Sequence, residues 1–224
     1  MTKIKYAIIA AAGMGRRLGK NLPKCLVEVN NRKIIEYQLE LLKNIEKVVI
    51  IVGYKHKEVI ETVKKIRKDV IFIINSDFST TTTLQSFYLV KNVVKEKAIF
   101  LDGDMIIEKS SFDNFVNICE STNAGNLIGI SNNVFSDPVY VHVNNDSVVK
   151  FTRTEPSEYE WANLAYIDTN ILEDLPINFY QLLEKNMPLK WEKYTRYEVD
   201  TLEDLELIEK NREFYGIENY FCTM

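Results

Sequence analysis

Two stretches of the chain combine residue types suited to phosphate and to a hard cation. Ala10-Ala11-Ala12-Gly13-Met14-Gly15-Arg16-Arg17-Leu18-Gly19 runs from an apolar segment into a glycine-rich turn. Such a turn offers several backbone N–H groups to a phosphate with no Cβ atoms in the way. Leu101-Asp102-Gly103-Asp104 ends a second apolar segment and supplies carboxylates, and magnesium is usually held by one or two of these together with phosphate oxygens and water. His56 and His142 lie far apart with no Ser-His-Asp or Cys-His set around them, and each reads as a structural residue.

The elements that must position these residues follow from the pattern. Strand-length apolar runs alternate with helix-period segments from the start to about Thr122, the signature of repeated βα units and a parallel sheet. Strands are expected at Tyr6 to Ala12, Lys47 to Val52, Val70 to Ile74, Ala98 to Leu101 and Asn126 to Ser131. Helices are expected near Lys33 to Ile45, His56 to Arg67, Thr81 to Val93 and Ser111 to Glu120. In the second helix Val59, Ile60, Val63 and Ile66 form the inner side, while Lys57, Lys64, Lys65 and Lys68 face water. Beyond about residue 123 a hairpin (Pro138 to Asn144, Ser147 to Thr152) and a strand from Trp161 to Asp168 predict an antiparallel extension. A closing helix runs from Leu202 to about Phe214, with Thr201 as N-cap and Asp204 three residues on. The predicted fold is a Rossmann-like three-layer α/β/α arrangement around a mixed, mostly parallel sheet. It is expected to form one domain over residues 1–224, in which the parts before and after about residue 122 differ in pattern.

Composition narrows the function classes. A chain of 224 residues with 46% hydrophobic side chains can bury one large core. The formal charge of -4, from 28 basic and 32 acidic residues, argues against a general nucleic-acid or anionic-membrane surface, so any phosphate site is local. Cys25, Cys119 and Cys222 are odd in number and widely spaced, which signals neither a disulfide framework nor a zinc site and fits a reducing cytoplasm. The apolar run from Tyr6 to Ala12 reads as a buried strand rather than a signal peptide, and no apolar run reaches the roughly 18 residues of a membrane span.

Spacing separates the glycine-rich turn from two other phosphate-binding loops. A dinucleotide-binding unit needs Gly-x-Gly-x-x-Gly and an acidic residue ending the second strand. Here Leu18 stands where the third glycine belongs, Gly19 is one place late, and the second strand ends in Gly53. A Walker loop needs Gly-Lys-[Ser/Thr] after correctly placed glycines, and Asn21 follows Gly19-Lys20. Instead, Ala11-Ala12-Gly13-x-Gly15-x-Arg17 with Pro23-Lys24 and Leu26 resembles the signature of the sugar-nucleotidyltransferase superfamily, the MobA-like fold. Asn75-Ser76-Asp77-Phe78-Ser79-Thr80-Thr81-Thr82-Thr83-Leu84-Gln85-Ser86 resembles the base-reading segment of bacterial phosphocholine cytidylyltransferases and related capsule-modifying enzymes. Asn75, Thr81 and Ser86 match that segment, Phe78 stands for its tyrosine, and Thr82 and Thr83 replace its paired asparagines.

The resemblance implies a magnesium-dependent transfer of CMP from CTP to a small phosphorylated acceptor, with release of pyrophosphate. Phosphocholine, a phosphorylated amino acid and a phosphoramidate precursor are the acceptors it implies, for decoration of surface polysaccharide. It also implies nucleotide contacts from Ala11, Ala12, Gly13, Met14, Gly15, Arg17, Lys24, Asn75, Thr81, Thr82 and Ser86, with Arg17 and Lys24 as the catalytic cations. Asp104 maps to one metal ligand. Asp200, in Glu198-Val199-Asp200-Thr201-x-Glu203-Asp204-Leu205, maps to the other, while Asp102 is either a nucleotide-side group facing the metal or a turn residue. In the second part Glu155, Tyr159, Trp191 and Tyr194, with Lys150, Glu160, Trp161 and Lys190 as the nominated contacts, are the expected acceptor pocket, since a choline cation calls for an aromatic cage. Two rival readings stand beside this one: a sugar-1-phosphate nucleotidyltransferase using UTP or dTTP, and a catalytically silent nucleotide-binding module.

Overall fold

The structure, a computed structural model, describes residues 3–19, 21–121, 125–132 and 137–210. In chain order its elements are β1 (Tyr6–Ala11), β2 (Glu28–Val29), β3 (Arg32–Lys33), α1 (Ile34–Leu41), β4 (Lys47–Val52), α2 (His56–Ile66), β5 (Ile71–Ile74), α3 (Thr83–Tyr88), β6 (Lys97–Asp102) and β7 (Met105–Ile107). There follow α4 (Lys109–Ser121), β8 (Leu127–Asn132), β9 (Tyr140–Asn144), β10 (Ser147–Thr152), β11 (Tyr159–Asp168), α5 (Phe179–Lys185), β12 (Leu189–Lys193), β13 (Arg196–Glu198) and α6 (Leu202–Lys210).

A nine-stranded sheet in the order β5-β4-β1-β6-β11-β8-β12-β10-β9 forms the middle layer. β4, β1 and β6 are near-continuous buried apolar runs because a parallel sheet is covered on both faces. Alternation along β1 divides the core: Ala7, Ile9 and Ala11 join one apolar cluster with residues of α1, α2 and α4, and Tyr6 and Ile8 join the other with residues of α3 and α5. This is the three-layer arrangement read from the sequence. In α2, Val59 and Val63 are buried as expected, whereas Ile66, at the last turn, is exposed.

The predicted antiparallel extension enters the middle of the sheet as well as its edge. β11 inserts antiparallel between β6 and β8, with Leu164 opposite Leu101 and Ala165 opposite Ile128. The hairpin forms at the predicted place, with Asn145 at φ 50° in its turn. β9 also pairs with the start of β11 (Tyr159 opposite Val141), so β11, β8, β12, β10 and β9 close on themselves. The register of β11 shifts between Trp161 and Ala165, around Asn163 at φ 56°, a bulge that takes carbonyl groups out of the ladder.

Several helices are shorter than their periodicity suggests. α3 begins two residues late because Thr82 caps it: Thr82 Oγ1 accepts from Gln85 N while Gln85 Oε1 accepts from Thr82 N. Its remaining length continues as a 3-10 turn over Leu89–Asn92. The predicted cap of α6 is present, with Asp204 N donating to Thr201 Oγ1 and Thr201 N donating to the Asp204 carboxylate. The expected end of this helix near Phe214, and Cys222, lie outside the described residues. Among the described residues no helix is long and apolar enough to cross a membrane.

Candidate active site

A cleft of about 550 Å³ opens at the carboxyl ends of β1 and β6. One wall is the turn from Ala12 to Arg17, where Gly15 has φ 59° and a Cβ there would sit 3.0 Å from Lys24 Cγ and 3.1 Å from Leu22 O. Backbone sign and space both require glycine at this point. Two 3-10 turns follow, Arg16–Leu18 and Lys24–Leu26. Each buries an apolar residue, Leu18 in the first, Cys25 and Leu26 in the second, which anchors the turn and leaves Arg16, Arg17 and Lys24 lining the cleft.

The opposite wall is acidic. β6 ends at Asp102, and Gly103 N donates to Ala10 O at 2.9 Å. A Cβ on Gly103 would lie 2.8 Å from that oxygen, so glycine lets the end of β6 close against β1. Gln38, buried on α1, donates from Nε2 to Asp102 O (2.7 Å) and Met105 O (3.0 Å), fixing the turn that carries Asp104. β13 pairs antiparallel with β7, Glu198 opposite Met105, and Val199 N donates to Asp104 O at 3.0 Å. Two short strands thereby bring Glu198 and Asp200 beside Asp104 across about half the chain. Each of these three residues offers a carboxylate oxygen, all within 4.8 Å of one another.

Two cations meet these carboxylates. Lys24 Nζ lies 2.7 Å from Asp104 Oδ2 and also pairs with Asp200 Oδ1, and Arg17 Nη2 lies 2.8 Å from Asp200 Oδ2. Asp104 Oδ1 is buried with no hydrogen-bond partner among the described residues, an acceptor that a cation could satisfy. Burial, then the neighbouring charges of Asp104 and Glu198, hold the Asp102 carboxyl well above the usual carboxylate range. Burial and the Asp104 charge raise Glu198 too, while Arg196 opposes the rise. A hard cation relieves such crowding among oxygen donors, and the set fits one.

The segment after β5 forms a third wall with Phe78, Ser79, Thr81, Thr82, Thr83 and Ser86. Asn75, predicted as a direct contact, is instead a buried brace: its Nδ2 donates to Thr81 Oγ1 (2.8 Å) and Ser86 Oγ (3.0 Å), and its Oδ1 accepts from Asp77 N (3.0 Å). A Cβ on Gly53 would fall 2.6 Å from Phe78 Cβ, so the position that would carry the ribose-binding acid in a dinucleotide fold is occupied here by backbone packing against Phe78.

Ala11, Ala12, Gly13, Met14, Gly15, Arg17, Lys24, Thr81, Thr82, Ser86, Asp102, Asp104 and Asp200 all line the cleft. Lys150, Glu160, Trp161 and Lys190 do not, and for each the cause is local. Lys150 is at the surface paired with Glu155, and Lys190 is exposed on β12. Trp161 packs against Phe151 and Phe179 in the apolar core, and Glu160 is buried beside Arg196 and Ser131. Tyr194, from the same expected pocket, is likewise buried, its hydroxyl donating to Ala162 O. Tyr159 and Trp191 stack outside the cleft at 5.7 Å. Glu198 and Asn178 line the cleft without having been nominated. For Glu198 a signal existed, since it is an acidic residue two places before Asp200 in the same segment.

Comparison with known proteins shows what the chain resembles. The choline-phosphate cytidylyltransferase of Streptococcus pneumoniae is 39% identical over 113 residues, covering 48% of each chain. The CTP:phosphoglutamine cytidylyltransferase of Campylobacter jejuni is 37% identical over 106 residues, 45% of this chain and 41% of that one. The chain thus spans about half the length of the curated relatives it matches. Among solved structures, the inositol-1-phosphate CTP transferase from T. maritima superposes with a TM-score of 0.77 at 21% identity, over 95% of this chain and 98% of that one. The CTP:phosphocholine cytidylyltransferase from Streptococcus pneumoniae superposes with a TM-score of 0.74 at 23% identity, over 93% and 99%. The MobA-like NTP transferase domain matches residues 7–158, more than half of the sequence, and the chain belongs to that family.

Proposed function

We propose that the protein is a CTP-dependent cytidylyltransferase that moves CMP onto a small phosphorylated acceptor and releases pyrophosphate. The observation that carries this reading is the meeting, in one cleft, of Arg17 and Lys24 with the carboxylates of Asp104, Glu198 and Asp200. Nucleotidyl transfer from a triphosphate needs positive side chains for the phosphates and oxygen donors for a divalent cation, and this cleft holds both.

In the reaction an acceptor phosphate oxygen attacks the α-phosphorus of CTP, a new P–O bond forms, and the bond to the bridging oxygen breaks as pyrophosphate departs. A phosphate oxygen is already anionic at neutral pH and needs no general base. His142, which contacts Glu155 O at 3.2 Å on the surface, and His56, at the start of α2, are accordingly outside the cleft lining. The glycine-rich turn presents backbone N–H groups to the triphosphate. Arg17 turns to the β and γ phosphates and Lys24 to the α-phosphate, both leaving the carboxylates they pair with here. Asp104, Glu198 and Asp200 would hold magnesium, which supplies neutralisation of the phosphate charge. Phe78 and the threonines of residues 81–83 form the side of the cleft facing the base.

The relatives named above act on choline phosphate and on phosphoglutamine, and these two head groups are the leading acceptors for this chain, as precursors for surface decoration. Pyrophosphate release tests the reading, with magnesium and each of CTP, UTP, dTTP, ATP and GTP against phosphocholine, phosphoethanolamine, phosphorylated amino acids and sugar 1-phosphates. Release with CTP and a non-sugar acceptor is expected. Release confined to UTP or dTTP with a sugar 1-phosphate moves the protein to the sugar-activating branch, and silence across the panel leaves a nucleotide-binding module.

A further inference from the structure

Behind the carboxylate cluster lies a charged group to which the reaction assigns no role. Arg196 and Glu198 are two residues apart on β13 and share a face. The Arg196 side chain is only 3% exposed, and its guanidinium reaches Glu198, the Trp161 carbonyl and Glu160. Nη1 is 3.0 Å from Glu198 Oε2, Nη2 donates to Trp161 O at 3.1 Å, and Nη2 lies 3.5 Å from Glu160 Oε1. Glu160 is 1% exposed and also accepts from Ser131 Oγ at 3.2 Å. The Trp161 carbonyl sits at the start of the β11 bulge, where the ladder register breaks.

Stability alone explains this arrangement poorly. Removing two charges from water costs about as much as their attraction returns, and apolar replacements of equal volume are often neutral or better. A planar guanidinium does supply a fork of fixed geometry, able to orient a carboxylate. We propose that Arg196 is a positioning residue for the cation site: anchored to the β11 bulge and to Glu160, it aims the Glu198 carboxylate so that it completes the set formed with Asp104 and Asp200. The inference rests on the cation-assisted reading of the cleft. It links the closed strands of the second half to the metal ligands through one side chain.

The test is Mn²⁺ binding to the full chain with saturating CTP, read from the electron paramagnetic resonance signal of free Mn²⁺ after subtracting the Mn²⁺–CTP complex measured without protein. It is measured for wild type, Arg196→Lys, Glu198→Gln and the double variant. Groups that orient metal ligands typically contribute 10- to 100-fold in affinity. Arg196→Lys should therefore raise the Mn²⁺ Kd by about tenfold or more, and should add nothing once Glu198 is Gln. Because Arg196→Met alone strands the Glu160 charge and threatens folding, Arg196→Met with Glu160→Gln serves as the second test and should show the same loss. An unchanged Kd in both Arg196 variants, or an Arg196→Lys effect of equal size with and without the Glu198 carboxylate, overturns the positioning role. If wild type shows no CTP-dependent Mn²⁺ binding, the cation-assisted reading itself falls and the role of Arg196 falls with it.

Discussion

Lys24 bridges Asp104 and Asp200, its Nζ 2.7 Å from Asp104 Oδ2, so a single ammonium occupies the space between two carboxylates contributed by distant parts of the chain. In that position it neutralises carboxylate charge that a divalent cation would otherwise neutralise.

Removing that ammonium separates its two effects. Lys24→Met should tighten Mn²⁺ binding in the absence of nucleotide, because Asp104 then loses its paired cation while Asp200 keeps only Arg17. The same variant should lower kcat by about 10²-fold or more, the usual loss when a preorganised charge on the reacting phosphate is removed. Calorimetric Mn²⁺ titration and steady-state pyrophosphate release read the two separately. Weaker Mn²⁺ binding in the variant would show that the amine helps to hold the site open instead.

Gln38 should prove to be a stability residue with a kinetic consequence. Its replacement by Leu removes the side-chain donor to the carbonyls of Asp102 and Met105, which costs about 1–3 kcal/mol in all. For a chain of this length that corresponds to a fall in Tm of roughly 2–12 °C. Activity at a temperature where the variant is folded should also fall, since the turn carrying Asp104 loses its brace. Thermal unfolding followed by circular dichroism, with kcat at 20 °C, checks both parts.

Much of this was legible in the residues themselves. Buried runs such as Lys47 to Val52 allow one interpretation, and the glycine spacing from Gly13 to Gly19 by itself excludes the other phosphate loops. What escaped depends on contacts between distant segments. β7 and β13 are three residues each, too short to show a period, and they exist because they pair with one another. Glu160 and Trp161 looked like ligand contacts because strand alternation alone does not show that both faces of β11 are covered. Gln38 has no local signature at all, since its partners are 64 and 67 residues away.

Asn75→Ala should raise the KM for CTP more than it lowers kcat. The Asn75 amide ties Thr81 and Ser86 together beneath the third wall, so its loss loosens the base-facing segment without touching the carboxylates. Thr82→Ala removes the cap of α3 and should cost about 1 kcal/mol of stability. A KM unchanged in Asn75→Ala would separate that segment from nucleotide binding.

The two described thiols should be inert at mildly alkaline pH. Burial, reinforced by the Asp104 charge, pushes Cys25 up to about 12, and burial pushes Cys119 to about 12. Both therefore bind a proton in the folded chain over a range where the unfolded chain, near 9, has lost it. Their contribution to stability is complete below about pH 9 and is lost as pH rises from there toward 12. Iodoacetamide at pH 8 with peptide mass spectrometry should leave Cys25 and Cys119 unlabelled until the protein unfolds. Prompt labelling of either would contradict the burial on which this rests.

The central claim is that the cleft transfers CMP, and following the α-phosphate tests it most directly. With CTP labelled at the α-phosphorus, magnesium and either phosphocholine or phosphoglutamine, the label should appear in a CDP-linked product. One pyrophosphate should form per product, and Asp104→Asn should lower the rate by at least about 10²-fold. Label remaining in CTP with both acceptors, while UTP or dTTP and a sugar 1-phosphate react, would contradict the account.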